Sequence, residues 1–319
     1  MSTLIEQATL RLQQLRQAGV IIDDSAFAPH PVPQDKPLAR PEVVAPVETI
    51  STMAPKPSVS SKRVELDFEA LERNGIVTPM APRSRIADQF RVVKRPLIRN
   101  AMGKGSAAIT HGNLIMVTSA LAGEGKSFTS LNLAISIAAE LDNTVMLVDA
   151  DVARPSILPM LGLPASRGLL DVLEDSAELS SVLLRTNIDK LTILPSGTAH
   201  PRATELLASD AMRNLLNDIA TRYSDRIVIF DSPPLLLTTE ARVLASHMGQ
   251  VVIVVQAGKT LQSDVQSALA TIDSCPIRLM LLNQAQASSH GGYGYGYGYG
   301  YGYGGYGYGR NPEAEKQPA

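Results

Sequence analysis

Short apolar runs alternate with longer segments of helical periodicity from residue 113 onward. The runs have the length of strands and are apolar along nearly their whole length, which is typical of strands that are buried on both faces. Such strands, separated by helices, predict an α/β domain over residues 113–287 with a mostly parallel sheet covered by helices on both faces. The predicted strands are Leu114–Val117, Thr144–Val148, Leu191–Leu194, Arg226–Phe230, Gln250–Val255 and Arg278–Leu282, and two of the predicted helices are Ser209–Tyr223 and Thr260–Ile272.

The chain before this domain begins with a pattern of a different kind. Residues 1–22 are predicted to hold an amphipathic helix, because Leu4, Ala8, Leu12 and Leu15 follow one another at spacings of four, four and three. This helix either docks on a partner or lies on its own domain.

A linker and an adapter follow the predicted helix. Residues 23–60 are rich in proline and lack periodicity, which predicts an extended or disordered linker. Residues 61–112 are predicted to form a helical adapter. Its helices are expected at Val64–Asn74 and at Arg85–Arg95, the second being interrupted at Pro96.

Three charged residues of the second adapter helix recur at a spacing of three. Asp88, Arg91 and Lys94 are therefore expected along one face of that helix. The face is either solvated or in contact with another subunit.

The first strand of the α/β domain leads through a turn of small residues, 119–125, into a helix. Strand, small-residue turn, Lys-Ser and helix predict a phosphate-binding P-loop. Successive backbone N–H groups of such a turn converge on an anion, and the helix start adds its own unpaired N–H groups. Lys126 is expected on the β and γ phosphates and the Ser127 hydroxyl on Mg²⁺; an ordinary turn between strand and helix is the alternative. The residues predicted to surround the nucleotide are Ala122, Gly123, Glu124, Gly125, Lys126, Ser127 and Phe128.

Carboxylates follow two other strands. Asp149 and Asp151 come directly after Thr144–Val148, and Asp231 follows Arg226–Phe230. Because the carboxyl ends of parallel strands meet at one edge of a sheet, these side chains are expected beside the P-loop. Mg²⁺ prefers oxygen ligands, so Ser127, Asp149 and Asp231 are predicted to hold it. A single strand-end aspartate is more often a cap or turn residue, but three of them with a P-loop favour a Mg-nucleotide site.

Composition narrows the class of protein. The net charge of −2 argues against a generic nucleic-acid binder. The single cysteine, Cys275, excludes an intrachain disulfide and fits a reducing compartment. We find neither a secretory signal nor an apolar run long enough to span a bilayer. We therefore expect a cytoplasmic protein that is recruited to the inner face of the membrane through a partner.

The C-terminal segment, residues 288–319, is dominated by alternating glycine and tyrosine, which predicts disorder. The segment is either a self-associating tail or a set of phosphate acceptors. In the second case each phosphate would add about −1.5 to −2 charges and make the tail acidic and self-repelling. The predicted acceptors are Tyr293, Tyr295, Tyr297, Tyr299, Tyr301, Tyr303, Tyr306 and Tyr308.

These motifs, taken in order, resemble those of the bacterial tyrosine kinases, most closely the cytoplasmic autokinases of exopolysaccharide synthesis and export, including the exosortase-associated group. The resemblance is carried by Ala122-Gly-Glu-Gly-Lys-Ser, Leu147-Val-Asp-Ala-Asp, Ile229-Phe-Asp-Ser-Pro-Pro and the tyrosine tail. It covers residues 85–309. Partition and septum-site ATPases share the motifs but not the tail.

The resemblance implies roles for individual residues. Lys126 and Ser127 match the family's Walker A motif, Asp149 and Asp151 its A′ motif, and Asp231 its Walker B motif. Together with Lys126, the three aspartates are the predicted catalytic residues, with Asp149 as the base for the tyrosine hydroxyl. The resemblance also implies that Asn283 faces the adenine. The trio Asp88, Arg91 and Lys94 resembles the family's oligomerisation motif, E-x-x-R-x-x-R.

The sequence therefore predicts a Mg-ATP-dependent tyrosine autokinase that phosphorylates its own tail and regulates exopolysaccharide synthesis or export. The implied partners are further copies of the chain, with a ring as one arrangement, a transmembrane polysaccharide co-polymerase and a tyrosine phosphatase. A partition-type ATPase switch without kinase activity is the alternative, and a nucleotide-binding scaffold with an adhesive tail is a third hypothesis.

Overall fold

The computed structural model describes residues 61–105, 109–222 and 225–285. The predicted N-terminal helix, the proline-rich linker and the glycine–tyrosine tail lie outside these residues.

The described residues form one eight-stranded sheet with the strand order β1-β4-β5-β3-β6-β2-β7-β8. All neighbouring strands are parallel except β4 and β5, which are antiparallel. The predicted mostly parallel sheet is thus confirmed. The strands are β1 (Lys62–Arg63), β2 (Leu114–Ser119), β3 (Thr144–Asp149), β4 (Leu184–Arg185), β5 (Leu191–Leu194), β6 (Arg226–Asp231), β7 (Gln250–Gln256) and β8 (Ile277–Asn283).

Helices cover both faces of this sheet. Alternate side chains of β2 enter two separate apolar cores, Ile115 and Val117 on one face and Leu114 and Met116 on the other, and all four are fully buried. None of the described helices has the length and apolar character needed to cross a membrane. The helices are α1 (Phe68–Arg73), α2 (Arg85–Ala101), α3 (Lys126–Ala138), α4 (Ile157–Met160), α5 (Leu169–Leu173), α6 (Leu179–Val182), α7 (Ala203–Leu207), α8 (Asp210–Arg222), α9 (Thr239–Ser246) and α10 (Gln262–Ala270).

The first adapter helix is shorter than predicted. The Asp67 side chain accepts a hydrogen bond from the Ala70 amide at 3.0 Å, so it caps α1 and fixes its start at Phe68. Val64, predicted to be helical, instead donates its amide to the Arg185 carbonyl at 2.8 Å and extends the pairing of β1 with β4.

The prediction that Pro96 interrupts the second adapter helix is wrong. Helix α2 continues through Pro96 to Ala101. The missing proline amide costs about 3 kcal/mol in a helix interior, but the turn beyond it is held by tertiary contacts. Leu97 is buried in the core, and Asn100 Nδ2 donates to Gln250 Oε1 at 3.0 Å. Gln250 Nε2 in turn donates to the Leu97 carbonyl at 3.1 Å.

Candidate nucleotide-binding and catalytic site

The P-loop turn connects β2 to α3. Gly123 and Gly125 have φ angles of +84° and +93°, in the left-handed region that favours glycine. Gly125 is the N-cap of α3 and supplies no side chain to the first helical amides. These N–H groups are therefore available to a phosphate group, with the positive end of the helix dipole behind them.

Glu124 stabilises the turn from within. Its side chain is buried, with Oε2 accepting from the Leu121 amide at 2.7 Å, and its second oxygen pairs with the Thr260 hydroxyl. Glu124 therefore presents backbone rather than side chain to a nucleotide. Thr260 was not singled out from the sequence, because nothing local relates a loop after β7 to the P-loop.

Asn283, the last residue of β8, supports the same turn from its other side. Its Nδ2 donates to the Glu124 carbonyl at 2.9 Å. A Cβ placed on Gly125 would collide with this amide group, so the close approach of Asn283 requires glycine there. The adenine contact expected of Asn283 stays a prediction.

Asp149 and Asp231 end the neighbouring parallel strands β3 and β6 and are direct partners in their register. Adjacent strands lie about 4.8 Å apart and register partners project to the same face, so the two carboxylates are neighbours at the carboxyl ends of the strands. Both are buried. Asp149 Oδ2 accepts from the amides of Ser156 and Ile157, each at 3.1 Å, and Asp231 Oδ1 accepts from Ser130 Oγ at 2.9 Å.

The other oxygen of each carboxylate, Asp149 Oδ1 and Asp231 Oδ2, is buried without a hydrogen-bond partner. Uncompensated buried oxygens of this kind are costly unless a cation or proton binds them. Burial, reinforced by the charge of Asp231, raises the pKa of Asp149 to about 7. Burial likewise raises the pKa of Asp231 to about 6, although the neighbouring Ser127 and Ser130 hydroxyls and the charge of Lys126 oppose the shift.

These residues fit a Mg²⁺ ion. Two neighbouring carboxylates, each with one unpartnered oxygen, and the nearby Ser127 hydroxyl, which lies 2.6 Å from Ser156 Oγ, form an all-oxygen donor set. Among the described residues, no group of three or more His, Cys, Asp or Glu side chains could hold a metal by itself. This suits Mg²⁺, which usually combines one or two carboxylates with water and substrate phosphates.

Lys126 lies at the same place. It is buried, and its charge opposes the rise in pKa that burial causes at both Asp151 and Asp231. The Asp151 carboxylate also accepts from the Arg154 amide at 3.2 Å. The structure thus brings together the lysine and the three aspartates that were predicted to be catalytic.

Two serines of the site were not predicted. Ser130 Oγ, one turn into α3, lies 2.9 Å from Asp231 Oδ1 and 3.0 Å from the Lys126 carbonyl, which share its one proton. Ser156 contacts Asp149 through its amide and Ser127 through its hydroxyl. Ser130 could have been predicted, because it lies four residues after Lys126 and therefore one helical turn from it. The contact of Ser156 with the site could not, because no local pattern shows that the 150–156 loop folds back onto the P-loop.

The three charged residues of α2 do not share one exposed face. Asp88 and Arg91 are exposed and form an ion pair. Lys94 is only 6% exposed, and its Nζ lies 2.6 Å from both the Ser136 carbonyl and Glu140 Oε1 at the end of α3. The expectation that this face is solvated or contacts another subunit is therefore corrected for Lys94, which contacts Ser136 and Glu140 of its own chain. The predicted acceptor tyrosines lie outside the described residues.

The strand order, the P-loop and the paired strand-end aspartates define a P-loop nucleotide-binding protein. The family model of the AAA domain matches residues 112–283. Tyrosine-protein kinase YwqD of Bacillus subtilis is 30% identical over 222 residues, which are 69% of this chain and 90% of that protein. The chain therefore belongs to the bacterial tyrosine-protein kinases with an AAA-type domain.

Two further comparisons extend this assignment. The kinase domain of the Escherichia coli tyrosine kinase ETK matches with a TM-score of 0.59 and 25% identity, covering 75% of this chain and 94% of that one. Tyrosine-protein kinase ptk of Acinetobacter johnsonii is 31% identical over 181 residues, or 56% of this chain. The match covers 24% of ptk, so that relative is much longer than the matched domain.

Proposed function

We propose that this protein is a tyrosine autokinase that transfers the γ-phosphoryl group of Mg-ATP to the tyrosines of its own C-terminal tail. The observation that carries this proposal is that Asp149 and Asp231 are partners in the strand register and lie beside Lys126, the first helical residue after the P-loop turn. Membership of the tyrosine-kinase family and a chain segment with eight tyrosines support it.

The phosphates of ATP would lie on the free amides of the P-loop, with Lys126 neutralising the β and γ groups. Ser127, Asp149 and Asp231 would hold Mg²⁺, which supplies charge stabilisation for the transferring phosphoryl group. The orphaned oxygens of the two aspartates support this assignment.

The transfer needs an acceptor for the phenolic proton, because tyrosine has a pKa near 10 in model compounds. Asp149 is the proposed acceptor because its carboxylate lies at the end of β3, beside Asp231 and the P-loop. The tyrosine oxygen forms a bond to the γ phosphorus as the bond from that phosphorus to the β–γ bridging oxygen breaks. The bridging electron pair leaves with ADP, and the phenolic proton passes to Asp149.

We further infer that transfer occurs largely between subunits of a homo-oligomer, with exposed Asp88 and Arg91 at the contact between them. Phosphorylated tails would then repel one another and loosen the assembly. By the family resemblance, the protein would act at the inner face of the membrane on exopolysaccharide synthesis or export. Its partners there would be a transmembrane polysaccharide co-polymerase and a tyrosine phosphatase.

The test is incubation of the purified protein with labelled ATP and Mg²⁺, followed by mass-spectrometric mapping of phosphotyrosine. Label on the tail tyrosines that disappears in Lys126→Ala is the expected result. A protein that hydrolyses ATP but leaves its tail unlabelled would instead be the partition-type ATPase switch. Deleting residues 291–309 removes all eight proposed acceptors and should abolish phosphate incorporation.

A further inference from the structure

A long apolar groove separates helix α2 from the edge strand β8 and borders the site described above, with which it shares Phe128 and Asn283. Its volume is about 1130 Å³. Helix α2 contributes one wall, β8 the other, and Phe128 of α3 part of the floor. We call it the α2–β8 groove. Its apolar walls include Ile86, Phe90, Val93, Leu97, Leu279 and Leu281.

Apolar side chains line the groove on both sides. Ile86 and Val93 of α2 and Leu279 and Leu281 of β8 are only partly buried, and Val92 of α2 is 73% exposed. Arg85 is the one charged residue among its described lining residues. Strand β8 also lies at the end of the sheet, so one side of its backbone has no neighbouring strand in the described part of the chain. Apolar surface concentrated in this way marks an interaction site.

The chain itself delivers a candidate occupant to this place. Ala285, the last described residue, lines the groove, and Gln284 before it turns the chain out of β8 with a φ of +57°. Tyr293 follows eight residues after Ala285, a span of at most about 27 Å. The wall of α2 from Arg85 to Leu97 is about 18 Å long. The tyrosines that follow can therefore reach any part of the groove.

The chemistry of this segment fits the groove. Residues 286–309 contain no Asp, Glu, Lys or Arg, and their large apolar groups are the rings of eight tyrosines. A tyrosine ring buries about 150–250 Å² while its hydroxyl stays with polar partners. The groove offers apolar walls for the rings, and Gln89, Asn283 and Gln284 offer polar groups for the hydroxyls.

We propose that the α2–β8 groove is a docking site for the unphosphorylated tyrosine tail of the same chain. Docking requires no catalysis. Its reversal rests on the proposed kinase function, because a phosphate would carry about two negative charges into an apolar groove and be strongly disfavoured there. The groove would thus hold tail segments that have not yet been modified and release them afterwards.

The composition of the chain provides the experiment. The protein has no tryptophan, and Tyr223 is its one tyrosine outside the tail. In a Tyr223→Phe, Lys126→Met background without nucleotide, all tyrosine fluorescence comes from unphosphorylated tails. Acrylamide quenching of that fluorescence then measures how far the tail is protected from solvent.

The groove variant is Val92→Glu, an exposed lining position whose substitution leaves the core intact. The matched control is Leu141→Glu, which is 90% exposed and outside the groove. We expect the quenching constant to rise toward that of free tyrosine amide in the groove variant and to stay at the background value in the control. Deleting residues 291–309 should also speed hydrogen exchange of the amides of β8.

Three results would overturn the proposal. Equal quenching in the background and groove variants would mean that the tail is not docked there. Protection that is lost on dilution would assign the groove to a second copy of the chain. Unchanged exchange of β8 after tail deletion would mean that another segment covers the strand. Because all of these measurements omit ATP, a failure of docking is distinguishable from a failure of kinase activity.

Discussion

The functional residues owe their properties to the positions in which the fold places individual side chains. Asp149 and Asp231 are ordinary aspartates in sequence, and the parallel register makes them a buried, adjacent pair. The strand-end positions of these residues could be predicted from the apolar runs before them. Their partners could not, because Ser130 and Ser156 reach them through packing and a returning loop.

The raised pKa of Asp149 has a consequence for stability that pH can test. The folded protein retains this proton up to about pH 7, whereas the unfolded chain loses it near 3.8. The free energy of unfolding therefore falls as pH rises between these values, and the loss is complete above pH 7. Without Mg²⁺ or nucleotide, Asp149→Asn should be more stable than the parent at pH 8 by roughly 1–3 kcal/mol, with little gain at pH 4.

Urea denaturation at the two pH values measures this difference. The exposed Asp225→Asn is the control and should follow the parent at both. A parent whose stability has the same pH dependence as Asp149→Asn would contradict the assignment of the shift to this carboxyl.

The glycine at the start of α3 provides a second test at this scale. Gly125→Ala should weaken ATP binding, both because the backbone is left-handed there and because the new Cβ collides with Asn283. Gly123→Ala meets the same backbone strain but has no atom within 4 Å of its Cβ, so it should cost less. Adding Asn283→Ala to Gly125→Ala should recover the steric part of the loss. Isothermal titration with ATP measures all four proteins, and equal affinities of the two alanine variants would contradict the collision.

Among the elements, long apolar strands were the easiest to predict and short pairings the hardest. Each predicted strand of the α/β domain is present to within one or two residues at each end. The two-residue strands β1 and β4 carry no pattern of their own and exist through their neighbours. Helix α2 continues past Pro96 for a similar reason, since contacts from β7 hold its last turn.

The contact of α2 with α3 depends on Lys94. Lys94→Met should lower the free energy of unfolding by roughly 1–3 kcal/mol, because it leaves the Ser136 carbonyl without its charged donor. Glu140→Gln should cost less, since Glu140 is 45% exposed and the lysine keeps the carbonyl. Chemical denaturation compares the two variants. A larger loss in Glu140→Gln would mean that the ion pair, rather than the backbone contact, holds the helices together.

At the scale of the whole molecule, the proposed assembly depends on the exposed part of α2. Asp88→Ala with Arg91→Ala removes an exposed ion pair and should change the free energy of unfolding by less than about 1 kcal/mol. The same variant should lower the fraction of oligomer and the rate of tail phosphorylation. Sedimentation velocity and phosphate incorporation test the two effects. A variant that assembles like the parent would remove these residues from the interface.

The sequence could predict those parts of the molecule whose folding leaves a pattern along the chain. Burial on both faces of a sheet leaves a strong pattern, so the α/β domain and its P-loop were predictable. The burial of Lys94 against Ser136 could not be predicted, and neither could the contact of Thr260 with Glu124 of the P-loop. Both depend on how distant elements pack together, which no local pattern shows.

Strand β8 contacts the phosphate loop at its tip through Asn283 and lines the α2–β8 groove along its side. Two ligands that contact the same short strand can be coupled thermodynamically. If bound nucleotide changes the affinity of the groove for the tail by some factor, the docked tail changes the affinity for nucleotide by the same factor. Loss of the tail from the groove after modification would then alter how tightly ATP is held. In this way the protein would sense its own phosphorylation state through seven residues of backbone.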